Sequence, residues 1–448
     1  MVTTMTAGKP LKLILSFTIP LIIGNIFQQM YNIADVIIVG QTIGINALAA
    51  VGSTIPLFMV LMGSTVGLTG GFAVITGQCF GAGDMVGVRK SAAVSAVLSG
   101  IFSVLIMVAA YLCLPAILAL MQVPAAIYAD AYSYISILIY GISALTLYNL
   151  LASLLRALGD SKTPLYFLII ASILNIALAL VFIRNFGWGV PGSAIALVIA
   201  EGISGLLCLA YIYWHFPLLH LQREDWQITW RAVREHLAMG LPMALQFTIL
   251  GVGILVLQAV CNSFGPEVIA GFTSAMRIEQ LALQPMISIG LTIAVYTAQN
   301  YGARQFERIR QGVLVCSKLL LGFSAVATFC LYFWGDSMMM LFMSERNEAV
   351  MAAALLYLHL TVPFYFFLSQ IFVFRNAAQG LGVAVLPLYS GIIELVVRSA
   401  AAIYLAQWYG YTGMCYASPA SWIGGAVFLC FGYFYFIKLL ETKNKFSV

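Results

Sequence analysis

Residues 17–44 read FTIPLIIGNIFQQMYNIADVIIVGQTIG. The stretch is apolar over enough of its length to cross a bilayer, which takes about 20 residues. It also carries Pro20, Asn25, Gln28, Gln29, Asn32 and one carboxylate, Asp35. An ionisable group at that depth costs at least roughly 2.5 kcal/mol. Gln28, Asn32 and Asp35 are spaced by four and three, so a helix puts them on one face. That face calls for water, a ligand or a partner helix.

The rest of the chain is of the same kind. Of 448 residues, 62% are hydrophobic and only 8% charged, where soluble domains carry about 25% charged residues. With a mean hydropathy of +0.99, this is an integral membrane protein. Its long apolar runs point to helices, because a membrane barrel alternates over about ten residues. Met1 to Leu11 lacks the short apolar core and small-residue cleavage site of a signal peptide, so the first helix is expected to stay as an anchor. The net charge of +5 does not point to nucleic acid, since basic residues of membrane proteins gather in cytoplasmic loops. Eight cysteines are scattered with no C-x-x-C pair, and the four histidines form no ligand pattern; no metal is expected.

Apolar runs between charged or Gly/Pro-rich breaks predict twelve spans, near 14–40, 46–78, 91–113, 127–155, 164–184, 189–214, 236–262, 268–298, 313–334, 350–374, 384–407 and 411–437. With the N-terminus inside, sixteen of the 21 basic residues fall in inside segments. Only Arg184 and Arg346 fall outside, while Arg277, Lys318 and Arg398 sit in spans. Both termini are therefore expected in the cytoplasm of a cell bearing this protein in its plasma or inner membrane. One long polar connection, 216–235, reads as an amphipathic interfacial linker with Trp226 and Trp230 on one helical face. It separates an N-terminal bundle, 1–215, from a C-terminal bundle, 236–448.

The bundles are repeats. Ile19-Pro20 is matched by Leu241-Pro242, Gln78–Ala82 by Gln299–Ala303, and Leu158-Gly159…Pro164 by Leu381-Gly382…Pro387, at offsets of about 222. Six spans per repeat leave the second copy in the same orientation as the first. The expected fold is thus all-α, twelve transmembrane helices in two six-helix bundles about a pseudo-twofold axis along the membrane normal. That architecture suits alternating access.

Chemistry is confined to a few intramembrane residues. Asp35 plus 222 lands on Leu257, and Arg398 minus 223 lands on Asn175, so the halves share a scaffold but not their charges. Asp35 and Glu201, with Asn175, form the candidate cation-coupling cluster, able to load a proton or, with amide oxygens, to wrap a sodium ion. Two protonated acids bonding neighbouring helices would be the structural alternative. Glu394 and Arg398 are four apart, the spacing of an intrahelical ion pair. Arg277 and Glu279 point away from each other. With Gln28 and Asn32, these four are candidates for a substrate cavity. No nucleotide-binding loop or hydrolase motif occurs, which argues against an enzyme and leaves an ion gradient as the energy source. Eighteen methionines and 13% aromatics would suit a plastic cavity or ordinary packing.

The arrangement Pro20, Asn25, Asn32, Asp35, Gly40 resembles the first span of the multidrug and toxic compound extrusion family. So do the Q-x-x-G-A exits (Gln78, Gly81, Ala82; Gln299, Gly302, Ala303) and Gly159–Pro164. The resemblance covers the whole chain and is closest to the DinF-like and MepA-like prokaryotic members. It implies export of cationic or amphipathic compounds in exchange for protons or sodium, with no other cofactor. It also places the family's first-span aspartate at Asp35 and its fifth-span asparagine at Asn175. Two further oxygen ligands of the family are replaced by Ala179 and Leu197, which favours protons, and Glu201 stands where glutamine is common.

The expectation is an antiporter of small cationic or amphipathic drugs, acting as a monomer in the bilayer without nucleic acid. A lipid-linked oligosaccharide flippase of the same superfamily is the alternative, and a channel or receptor a more distant one.

Overall fold

The computed structural model describes residues 4–340 and 347–445, with the side chains of residues 31, 32, 36 and 443–445 outside that description. Asn32, as a cavity residue, and Arg346, in the charge balance, therefore lie outside it. Counting one bent pair as a single span, twelve stretches of the described residues are long and apolar enough to cross a membrane. Each coincides with a span expected above, usually longer by a few residues at its ends.

The chain forms two compact units. The body of unit 1 is Ile19–Ala244; unit 2 joins Met5–Thr18 to Leu245 onward. The division thus falls inside two helices, one residue before Ile19-Pro20 and two after Pro242, rather than at the 216–235 linker.

Unit 1 contains most of α1 (Pro10–Thr42), then α2 (Ile45–Gly81), α3 (Met85–Leu120), α4 (Ala125–Tyr140), α5 (Ile142–Ala157), α6 (Lys162–Leu180), α7 (Gly189–His215) and the first half of α8 (Trp230–Cys261). The expected span 127–155 is two helices, bent by 47° at Gly141. A Cβ at Gly141 would meet Val198 Cγ2 at 2.2 Å, so the glycine lets α7 approach where the helix breaks. α2 and α8 meet backbone to backbone: a Cβ on Gly71 would lie 2.7 Å from Gly240 Cα, and one on Gly67 2.7 Å from Ala244 Cα. Small residues permit this approach, the usual way helices associate in lipid. Nearby, His236 Nε2 and Ser91 Oγ are 3.0 Å apart, and Ser91 meets Thr76 Oγ1 at 2.8 Å.

The linker is not one amphipathic helix. It forms two short 3-10 turns, Pro217–Leu219 and Arg223–Trp226, and Trp230 already opens α8. Trp226 and Trp230 therefore do not share a helical face. Asp225 explains the break: its buried carboxylate accepts from the Gln222 N–H at 2.8 Å and from Arg89 Nε of α3 at 3.0 Å. Both contacts hold a tight turn in place of a helix.

Unit 2 holds α9 (Pro266–Gly302), α10 (Phe306–Met339), α11 (Glu348–Thr361), α12 (Tyr365–Gly380), α13 (Val385–Cys415) and α14 (Ala417–Lys445), with the second half of α8. Its N-terminal arm is bonded rather than merely adjacent. The Met5 N–H donates to Gln299 Oε1 at 2.8 Å, Asn300 Nδ2 donates to the Met5 carbonyl at 3.1 Å, and Arg308 reaches the Gly8 carbonyl at 3.0 Å. Thr18 and Thr292 hydroxyls are 2.8 Å apart. Gln299 of the family-like exit and its neighbour Asn300 are thus the clasp of this arm.

The internal repeat extends to the backbone. Unit 2 breaks between α11 and α12 at Val362–Phe364, 222 residues after the Gly141 region. Gly159 and Gly382 have φ of 86° and 84°, the left-handed values glycine accepts freely. Gly83, at 73°, is matched by Arg304, at 57°. The second copy keeps the turn but has lost the residue that suits it.

Candidate functional site

In unit 1 the candidate residues sit on α1, α6 and α7. Asp35 is 9% exposed, and its Oδ1 accepts from Ser193 Oγ of α7 at 2.7 Å. Tyr134, Ala179, Ala194 and Leu197 belong to the apolar cluster that fills this part of unit 1. A carboxylate in such surroundings resists ionisation unless something compensates. The one hydroxyl at Ser193 is such a compensation.

Asn175 is 1% exposed, and among the described residues neither its amide nitrogen nor its oxygen has a hydrogen-bond partner. Glu201 is also buried, and its Oε2 has no partner among the described residues. Ser193, Leu197 and Glu201 are four apart in turn, so they line one face of α7. That spacing puts Glu201 about 12 Å along the helix from Ser193. Asp35 and Glu201 are therefore held at two levels of unit 1, and Asn175 bonds to neither. Of the remaining α1 candidates, Gln28 is half-buried.

In unit 2 the structure rearranges the expected pairing. Glu394 does not rely on Arg398, four residues on. Its Oε1 pairs with Arg375 Nη2 of α12 and accepts from Ser390 Oγ at 2.9 Å. Arg398 Nη2 turns to Ser421 Oγ of α14 at 3.2 Å. The reason is geometric: α12 brings Arg375 to the Glu394 carboxylate, while Arg398 reaches Ser421 on α14. Glu279 is buried and accepts from Tyr357 OH of α11 at 2.7 Å. Arg277, two residues earlier, is exposed.

Sequence reasoning missed Ser193, Arg375, Tyr357 and Ser421. Only Arg375 left a usable signal, a charge one residue beyond the expected span 350–374 and so placed in an inside segment; α12 in fact runs on to Gly380 and buries it.

The profile of the MatE family matches residues 20–181 and 242–404, one match in each repeat. The probable multidrug resistance protein YpnP of Bacillus subtilis (strain 168) is 27% identical over 414 residues, 91% of both chains. The multidrug export protein MepA of Staphylococcus saprophyticus is 21% identical over 386 residues, 85% of both. A solved structure described as the outward-facing conformation of a multidrug resistance MATE family transporter of the MOP superfamily superposes with a TM-score of 0.91. It is 24% identical and covers 98% of each chain, a likeness of fold. With both repeats matched by one family profile on this twelve-span scaffold, the chain belongs to the MatE family, the multidrug and toxic compound extrusion transporters, and is no enzyme.

Proposed function

We propose that the chain exports cationic and amphipathic drugs by antiport, driven by inward proton flow through alternating access, with both termini in the cytoplasm. The observation that supports this reading is the environment of Asp35. Its carboxylate is buried among apolar side chains with one hydroxyl donor among the described residues, Ser193. A sodium ion stripped of water needs several oxygens around it. Ala179 and Leu197 offer none, whereas a proton needs only the carboxylate itself.

In this mechanism ionised Asp35 attracts the cationic cargo. Protonation removes the charge and with it the affinity, and loss of the proton to the cytoplasm restores both. Coupling arises because the two protonation states differ in affinity for cargo, and no larger shift can be driven than that difference. Glu201, one level away, serves as a second proton acceptor, and Asn175 as a buried polar group of α6. The multidrug names of the relatives agree with this cargo class.

The test is ethidium efflux from proteoliposomes under an imposed pH gradient or, separately, a sodium gradient, for wild type and Asp35→Asn. Efflux driven by the pH gradient and abolished in the variant is the expected result. Efflux driven by sodium alone would overturn proton coupling, and no efflux under either gradient would overturn drug export.

A further inference from the structure

A groove of about 730 Å³ runs along α14 in unit 2, apart from every residue assigned to transport above. Gly424, Val427, Phe428, Phe431 and Tyr435 line it, with Leu386 of α13, and the lining is almost wholly apolar. That volume falls among the roughly 300–1,000 Å³ of ordinary ligand sites. Glycine opens the hollow. A Cβ at Gly432, also in the lining, would lie 2.4 Å from Leu386 Cδ1, and one at Gly424 would find nothing closer than Ile393 Cγ2 at 3.5 Å. Phe431 and Tyr435 stand out from the helix beside it, 74% and 65% exposed.

Length and polarity say what fits. Gly424 and Tyr435 are eleven residues apart, about 16 Å along the helix axis. One leaflet of a hydrocarbon core about 30 Å thick has nearly that depth. An acyl chain of a single leaflet, lying along α14, matches both the length and the lining.

The face turns polar just past the groove. Lys438 follows Phe431 by seven residues and Tyr435 by three, so it continues the same face of α14. It is exposed. The acid nearest to it in sequence, Glu441, is taken by Arg310 Nη2 of α10 at 2.7 Å. Among the described residues, no carboxylate is in ion-pair contact with Lys438. A lysine lays its stem along apolar surface and keeps its ammonium at headgroup level. An uncompensated cation at the polar end of a leaflet-long apolar groove complements a lipid with a negative headgroup.

We propose that this groove is a binding site for an anionic phospholipid, with an acyl chain along α14 and the headgroup phosphate at Lys438. A neutral phospholipid fills the same groove without the added attraction.

The test uses the full-length protein, stripped of lipid in detergent, and dioleoyl phosphatidylglycerol or dioleoyl phosphatidylcholine added in steps. Mass spectrometry of the intact protein counts the bound lipid. Phosphatidylglycerol should bind about fivefold more tightly, the worth of one basic residue near an anionic surface. In Lys438→Gln the ratio should fall to about one, while in Lys90→Gln, an exposed lysine of α3, it should stay at the wild-type value. Gly424→Leu, which fills the groove, should weaken both lipids severalfold. A wild-type ratio near one, an unchanged ratio in Lys438→Gln, or the same loss in Lys90→Gln overturns the proposal. So does Gly424→Leu that folds and binds both lipids as the wild type does. None of these outcomes bears on drug export, which ethidium efflux tests separately.

Discussion

The Ser193 hydroxyl donates to Asp35 at 2.7 Å across 158 residues of sequence, joining α7 to α1 in unit 1. Hydrogen bonds to charged groups are worth about 1.5–3 kcal/mol. Ser193→Ala is therefore expected to slow pH-driven ethidium efflux by about tenfold, and Asp35→Asn to stop it. Because Ser193 acts through Asp35, the double variant should be no worse than Asp35→Asn alone. A wild-type rate in Ser193→Ala would show that the bond has no role in transport.

Arg375 and Glu394 give a second contrast. Removing one partner of a buried ion pair leaves a bare charge and costs about 3–5 kcal/mol, whereas replacing both by apolar groups is often neutral. Arg375→Met should lower the thermal unfolding midpoint in detergent sharply. Arg375→Met with Glu394→Met should recover most of the loss. A double variant less stable than the single one would contradict the pairing.

Two adjacent glycines of α2 should behave differently. A Cβ on Gly71 meets the Gly240 backbone at 2.7 Å, while one on Gly70 finds only Met243 Cε at 3.7 Å. Backbone cannot step aside, so Gly71→Ala should destabilise by about 1–3 kcal/mol or more, the range of overpacked cores. Gly70→Ala should be close to neutral. Thermal unfolding of the two variants side by side checks this.

Arg304 occupies a left-handed conformation, φ 57°, where the first repeat has Gly83 at 73°. That conformation costs a side-chain-bearing residue about 1–2 kcal/mol. Arg304→Gly should raise the unfolding midpoint, and Gly83→Ala should lower it. Opposite signs at equivalent positions would be hard to obtain from any cause other than the shared turn.

Much of the fold was legible because the signals are local or periodic. Span positions follow from apolar runs, and the repeat follows from Pro20 and Pro242 and from the paired glycine turns. The bend at Gly141 escaped notice because a glycine inside an apolar run looks the same whether or not α7 presses against it. Site residues were legible only where they are chemically conspicuous. Asp35, Glu201 and Glu394 stand out as acids in lipid, but their partners do not. Ser193 is one of many helix serines, and Arg375 lies 19 residues from Glu394, outside the helical spacing that pointed instead to Arg398. Partner choice is decided by which helices meet, and hydropathy carries no record of that.

The bonded arm at the start of the chain has a consequence for biogenesis. Met5 and Thr18 are made well before their partners Gln299 and Thr292, which follow 294 and 274 residues later. At a synthesis rate of roughly 5–20 residues per second, that is a wait of roughly 15 to 60 s. Throughout that interval the leading turns of the first span have no fold to join, and a chaperone, the insertion machinery or lipid must shelter them. The arm can bond only once α9 and the start of α10 have been made, so its docking reports that the ribosome has passed them.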